Sequence, residues 1–140
     1  MMAAGTPVTA AHTIVRVCLL LAAAIALGDG VQQLAQGSPA DTAEADNAHG
    51  FLAGVYVGWA PLFAWVAATI RWQGVLVHFL AVPILLGGIG RLVSLARDGL
   101  PSPAGVFLAA TLLEFALPVV IVWAHSAALR SRSRRVAAAA

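Results

Sequence analysis

The chain has no lysine, one cysteine, and charged residues at only 10% of its 140 positions. Each scarcity excludes something. Soluble domains carry about 25% charged and roughly 45–50% apolar residues. Here apolar residues reach 61%, so a soluble fold would run short of polar residues for its surface. With Cys18 alone, no intrachain disulfide and no cysteine-based metal site can form. Its place inside "VCLLLAAAIAL" reads as a small buried hydrophobe. The four histidines include no pair at helical spacing that could ligate haem or zinc, so no metal and no cofactor is expected. Nucleophile elbow, phosphate-binding loop and dinucleotide fingerprint are all missing. All eight basic residues are arginine. With abundant alanine, that bias suits a GC-rich bacterial genome.

What is present is long apolar runs, within a length that fits one domain. A helix crossing the hydrocarbon core needs about 20 mainly apolar residues, and four segments qualify: 13–34, 49–70, 73–95 and 104–125. The sequence therefore predicts an all-α membrane protein, a four-transmembrane-helix up-down-up-down bundle over 13–125. A short N-terminal segment, 1–12, precedes it and a basic tail, 126–140, follows. The first connection is acidic, with Asp41, Glu44 and Asp46, whereas Arg16, Arg71 and the "RSRSRR" tail fall on the opposite side. Basic residues stay cytoplasmic, which predicts both termini inside a bacterial inner membrane; Arg97 alone dissents. Trp72 and Trp123 lie near the cytoplasmic ends, where indole rings favour the interface. Residues 1–28 also admit reading as a secretory signal peptide, but no small-x-small cleavage site precedes the polar loop.

Charges inside an apolar span cost at least about 2.5–3.5 kcal/mol each near its centre, so they need partners or a function. Counted along the helices, Asp29 lies roughly 8 Å, Arg91 about 6–9 Å and Glu114 about 15 Å below the outer ends of their spans. Gly87, Arg91 and Ser94 share one face of the third span, and Thr111, Glu114 and Pro118 one face of the fourth. Asn47 and His49 open the second span from the same side. These positions predict an outer-leaflet polar cluster of Asp29, Asn47, His49, Arg91, Ser94 and Glu114. Arg91 could instead snorkel to the headgroups by itself. Glu114 is too deep and too short to escape, so it needs a cation, a donor or a proton. His78 stands apart in the cytoplasmic half and reads as a histidine hydrogen-bonded within the bundle.

Gly50, Gly54 and Gly58 recur every four residues and form a smooth face, for packing within the chain or for a homodimer. Gly87, Gly88 and Gly90 offer the same in the third span, and Pro83 and Pro118 are candidate kinks. Besides the lipid bilayer itself, the partners expected are anionic lipids at the arginine tail and a second copy or another membrane protein. Nothing folded or aromatic accompanies the tail, so nucleic acid is not expected.

The blocks "DNAHGFLAGVYVGWA" (46–60), "GGIGRLVSLARDGLPSP" (87–103) and "LLEFALP" (112–118) resemble the signature of a bacterial family of small four-span membrane proteins, catalogued as a domain of unknown function. The resembling positions are Asn47, His49, Arg91, Ser94, Pro101, Glu114 and Pro118. The resemblance implies a four-helix membrane protein and no particular activity. A weaker likeness, in size and span count only, is to small four-span proteins of quinone or redox metabolism; likeness of fold is a poor guide to function. The sequence reading thus favours a non-enzymatic protein whose Arg–carboxylate pocket binds a small polar or lipid-headgroup ligand, or a protein partner. An enzyme (isomerase, hydrolase or quinone-linked redox protein) using Glu114 or Asp29 as acid/base is the first alternative, and an oligomeric transporter the second.

Overall fold

A computed structural model describes residues 9–38 and 42–139, and all regular structure among them is helical. Four long helices follow one another: α1 (Ala10–Gln36), α2 (Ala43–Ala68), α3 (Leu76–Asp98) and α4 (Ala104–Ala139), with a 3-10 turn at Ile70–Trp72. Each is long and apolar enough to cross a membrane. Helix is the form this composition requires, because in hydrocarbon a single segment must satisfy its own backbone N–H and C=O groups.

The helix ends are set by local chemistry. At the end of α1, Gly37 adopts φ 68°, and its N–H bonds to Gln33 O at 3.0 Å. Glycine tolerates this left-handed conformation at little cost. α2 starts at Ala43, ahead of the expected 49. The Thr42 hydroxyl accepts from Ala45 N–H at 3.2 Å, while Glu44 and Asp46 occupy the first turn and complement the helix dipole. Asp46 also accepts from Ser38 N–H at 3.1 Å, tying down the incoming chain. Glu44, Asp46 and Asn47 are therefore helical, where the sequence reading had a loop. α3 ends at Gly99, with φ 80° and its N–H on Leu95 O.

Pro61, Pro83 and Pro118 all sit inside helices that continue through them. The largest departure is at the C-terminus. The expected tail is a continuation of α4, which runs for 36 residues. At about 1.5 Å per residue the helix is about 54 Å long, against about 30 Å of hydrocarbon. Its arginine-bearing end is thus a helical rod long enough to reach well into water.

The helices group into two compact units, one of residues up to Cys18 with Ile70–Ala140, the other Leu19–Thr69. In the second unit, Leu19, Ala22, Ala23 and Ala26 form a buried stripe on α1, and Ala53, Ala60, Phe63 and Ala67 one on α2. A close approach occurs at Gly30. A Cβ added there would lie 2.8 Å from Ala53 O and 2.8 Å from Val57 Cγ2, so the backbones meet only because no side chain intervenes. Around Gly50, Gly54 and Gly58, by contrast, an added Cβ meets nothing within 4 Å. The sequence admits an intrachain seam or a homodimer at this face; no neighbour among the described residues meets it, and the close contact of α1 with α2 is made at Ala53 and Val57 instead. Gly90 is open in the same way.

In the first unit α3 packs on α4, around Val77, Leu80, Ala81, Leu117, Ile121 and Ala124. The 3-10 turn adds buried Ile70, while Arg71 stands with its guanidinium carbon 5.3 Å from the centroid of exposed Trp72.

Gly30→Ala should lower stability by about 1–3 kcal/mol, the usual range for overpacking, and Gly54→Ala, a methyl added in open space on a helix interior, should leave it unchanged or raise it by up to about 1 kcal/mol. Thermal unfolding of the purified variants in one detergent checks both. Equal losses at the two positions would contradict the assignment of the seam to Gly30.

Candidate functional site

In the C-terminal half of α3, Gly87 and Gly88 lie one turn before Arg91 and on its side of the helix. Opposite them, α4 presents Phe107, Thr111 and Glu114, again on one face. The glycines set the distance. A Cβ at Gly88 would lie 3.0 Å from Phe115 Cε2 and 3.1 Å from Glu114 Cβ. At Gly87 it would lie 3.4 Å from Glu114 Oε1. The smooth patch admits Glu114 into the seam, and Arg91 meets it there.

Arg91 Nε donates to Glu114 Oε2 at 2.8 Å, a charge-assisted bond. The two side chains retain 31% and 21% of their exposure. This ion pair is therefore neither solvent-screened on a surface nor sealed in a core. The guanidinium carbon also stands 5.9 Å from the Phe107 ring centroid, within reach of a cation–π attraction. Thr111, buried beside Glu114, turns its hydroxyl to Phe107 O at 2.8 Å and so satisfies itself within α4.

The bond is one-pointed. Arg91 engages through Nε alone, and neither terminal Nη makes a hydrogen bond among the described residues. Glu114 likewise uses one oxygen and leaves Oε1 beside Gly87. A guanidinium has five N–H donors and a carboxylate about four acceptor sites, so this pair keeps capacity for a second, polar molecule.

The other expected members make no hydrogen bond or ion pair with Arg91 or Glu114 among the described residues. Ser94 is exposed on α3 and makes no side-chain hydrogen bond among the described residues. Asp29 is half-buried on α1, Asn47 exposed and His49 half-buried on α2, all in the other compact unit. Not one of these three makes a side-chain hydrogen bond or ion pair among the described residues.

A second polar group was not anticipated. His78, read from sequence as solitary, has the ring of His125 at 5.2 Å between centroids, inclined at 64°. His125 is fully buried and its Nε2 lies 2.8 Å from Gly74 O. His78 Nε2 lies 3.2 Å from Ser126 Oγ. The Nδ1 atoms of both rings are buried without a partner among the described residues, an arrangement that costs about 1–3 kcal/mol per group. Within single helices no spacing signals this pair, because its members stand on different helices. The sequence signal lies in two histidines at matching depth on consecutive, antiparallel spans. Among the described residues no group of three or more His, Cys, Asp or Glu is placed to hold a metal ion.

Residues 9–125 match the family described as "Domain of unknown function (DUF4345)". No curated protein and no solved structure matches the chain.

The Arg91–Glu114 pair should show a coupling free energy of about 1–3 kcal/mol in a double-mutant cycle with Arg91→Met and Glu114→Leu, above the surface range of about 0–1 kcal/mol. Chemical or thermal unfolding of the four proteins measures it. Additive losses would show that the two side chains do not depend on each other.

Proposed function

The chain belongs to the DUF4345 family, and we propose that it is a multi-pass membrane protein that binds a small polar or lipid-headgroup ligand at Arg91 and Glu114. The observation that carries this reading is the one-point bond. A pair serving only to neutralise itself gains most from the two-point fork that guanidinium and carboxylate can form. Here the Nη edge of Arg91 and Oε1 of Glu114 are unspent, and both side chains keep partial exposure. A ligand with an anionic or strongly accepting atom complements the free guanidinium edge, and a donor on the same ligand complements Oε1. Exposed Ser94, one turn from Arg91 on the same face, extends the polar surface.

In this reading the helices run up-down-up-down with both termini in the cytoplasm of a bacterial inner membrane. Arg16, Arg71 and the arginines from Arg130 onward support that orientation through their charge. The ligand site then lies toward the outer leaflet, since Arg91 stands about 10 Å before the end of α3 at Asp98. The rod at the end of α4 meets anionic lipid headgroups. The open Gly50/Gly54/Gly58 face is free for a second copy of the chain or another membrane protein.

Native mass spectrometry of the protein released from its own membranes, beside Arg91→Leu and Glu114→Gln, tests the reading. A bound small molecule or lipid that stays with the wild type and is lost at least tenfold from both variants is the expected result. Variants that lose thermal stability while keeping the same bound species would reduce the pair to a structural clamp.

A further inference from the structure

Arg91 and Glu114 hold opposite charges side by side, and each keeps part of its bonding capacity. Arg91 bonds through Nε alone, so its Nη groups still offer donors to an anion. Glu114 bonds through Oε2 alone, so Oε1 still offers an acceptor to a cation. A ligand that is only an anion meets the Glu114 carboxylate beside the guanidinium that attracts it. A ligand that is only a cation meets Arg91 in the same way. Between apolar helices such like-charge contacts are poorly screened. The pair therefore selects a molecule with both signs close together and no net charge.

The surroundings select for an apolar body as well. Arg91 stands about 10 Å before the end of α3, within the apolar span. Leu92 and Leu112, neighbours of the pair along their helices, are exposed, and exposed leucines on spans of this kind are covered by acyl chains. A lipid reaches this depth by dipping its headgroup while its chains stay in hydrocarbon. A water-soluble solute has to leave water altogether. The zwitterion that fits is therefore one carried on acyl chains.

We propose that the Arg91–Glu114 pair binds a phospholipid whose headgroup ends in a primary ammonium, as the ethanolamine phospholipids do. The lipid phosphate takes the free Nη edge of Arg91, and the ammonium donates to Glu114 Oε1. Phosphate oxygens suit the planar N–H edge of a guanidinium, and a primary ammonium brings three N–H donors to the carboxylate. A choline headgroup has the same charges but no N–H to donate. A glycerol headgroup has hydroxyls but no cation, and its phosphate charge is left opposite Glu114. Ser94, exposed one turn from Arg91 on the same face, offers a further hydroxyl to the phosphate. The bond from Arg91 Nε to Glu114 Oε2 stays in place, and no covalent bond forms or breaks. This proposal rests on the ligand-binding reading above and narrows it to one headgroup.

The test places the full chain in vesicles of equal parts ethanolamine, choline and glycerol phospholipid with identical acyl chains. Native mass spectrometry after release into detergent counts which lipid stays bound. The ethanolamine lipid should be retained about tenfold over each of the others, the difference one charge-assisted hydrogen bond makes. Glu114→Gln should abolish that preference and turn it toward the anionic glycerol lipid, because Arg91 is left unopposed. Arg91→Leu should lose selective retention altogether. Circular dichroism checks the fold of both variants, and the headgroup comparison on the unaltered chain stands without them. Water-soluble phosphoethanolamine, with the same two groups and no chains, should not displace the lipid even in large excess; displacement would overturn the assignment to a lipid. Equal retention of all three headgroups, lost in Arg91→Leu, would overturn the proposal and leave the broader ligand reading standing. So would a different species, carried from the native membranes and lost from both variants. An ethanolamine preference that survives both substitutions would also overturn the proposal, since the lipid would then be held elsewhere.

Discussion

The contact between Arg91 and Glu114 is the interaction around which one of the two compact units is arranged. Two charges on neighbouring apolar helices are each expensive alone and tolerable only together. Their meeting places demands on the residues around them. Gly88 leaves the room that Glu114 and Phe115 occupy, since a Cβ there would lie 3.0–3.2 Å from them, while at Gly87 a Cβ would only reach ordinary contact with Glu114. Phe107 lies under the guanidinium, and Thr111 satisfies its hydroxyl within its own helix and leaves the carboxylate to the arginine. The stretch "GGIGRLVSLARDGLPSP" is thus a packing surface, a charge and a helix end in sequence.

Small residues determine the packing in both units, but by position and not by repetition. In hydrocarbon, helix association depends on close backbone contact and interhelical polar bonds, since the solvent is itself apolar. Gly30 and Gly88 are the glycines at which an added β-carbon would crowd a neighbouring helix among the described residues. The regular Gly50, Gly54 and Gly58 series, which draws the eye first, meets no neighbour among the described residues. A surface of that kind in a membrane is covered by lipid or by another protein.

The broad architecture was legible because it follows from composition: four apolar runs of membrane length can be little else than helices. Membership of the family was legible as well, from the blocks around Asn47, Arg91 and Glu114. Depth and face put Arg91 within reach of a carboxylate but left Glu114, Asp29 and the headgroups as alternatives; the choice of Glu114 is seen only in the ion pair itself. Boundaries were less so. The Thr42 cap converts an acidic loop into the first turns of α2, and the alanine- and arginine-rich end of α4 lengthens a helix where a tail was expected. Arginine and alanine are good helix formers, so propensity carries the helix on after hydrophobicity ends. The histidine pair escaped detection because its signal is not local. It depends on which faces of α3 and α4 oppose each other, and on a backbone carbonyl at Gly74 that no side-chain pattern reveals.

The central claim is that Arg91 and Glu114 are bonded through a single guanidinium nitrogen, leaving the rest of both groups available. The most direct measurement is solid-state NMR in lipid bilayers, with nitrogen-labelled arginine and side-chain-carboxyl-labelled glutamate, assigned with Glu114→Gln. The account predicts a strong dipolar coupling from the Glu114 carboxyl carbon to Arg91 Nε, consistent with the 2.8 Å bond, and weaker couplings to both Nη. No coupling to Nε, or equally strong coupling to Nε and one Nη as in a closed two-point fork, would contradict it.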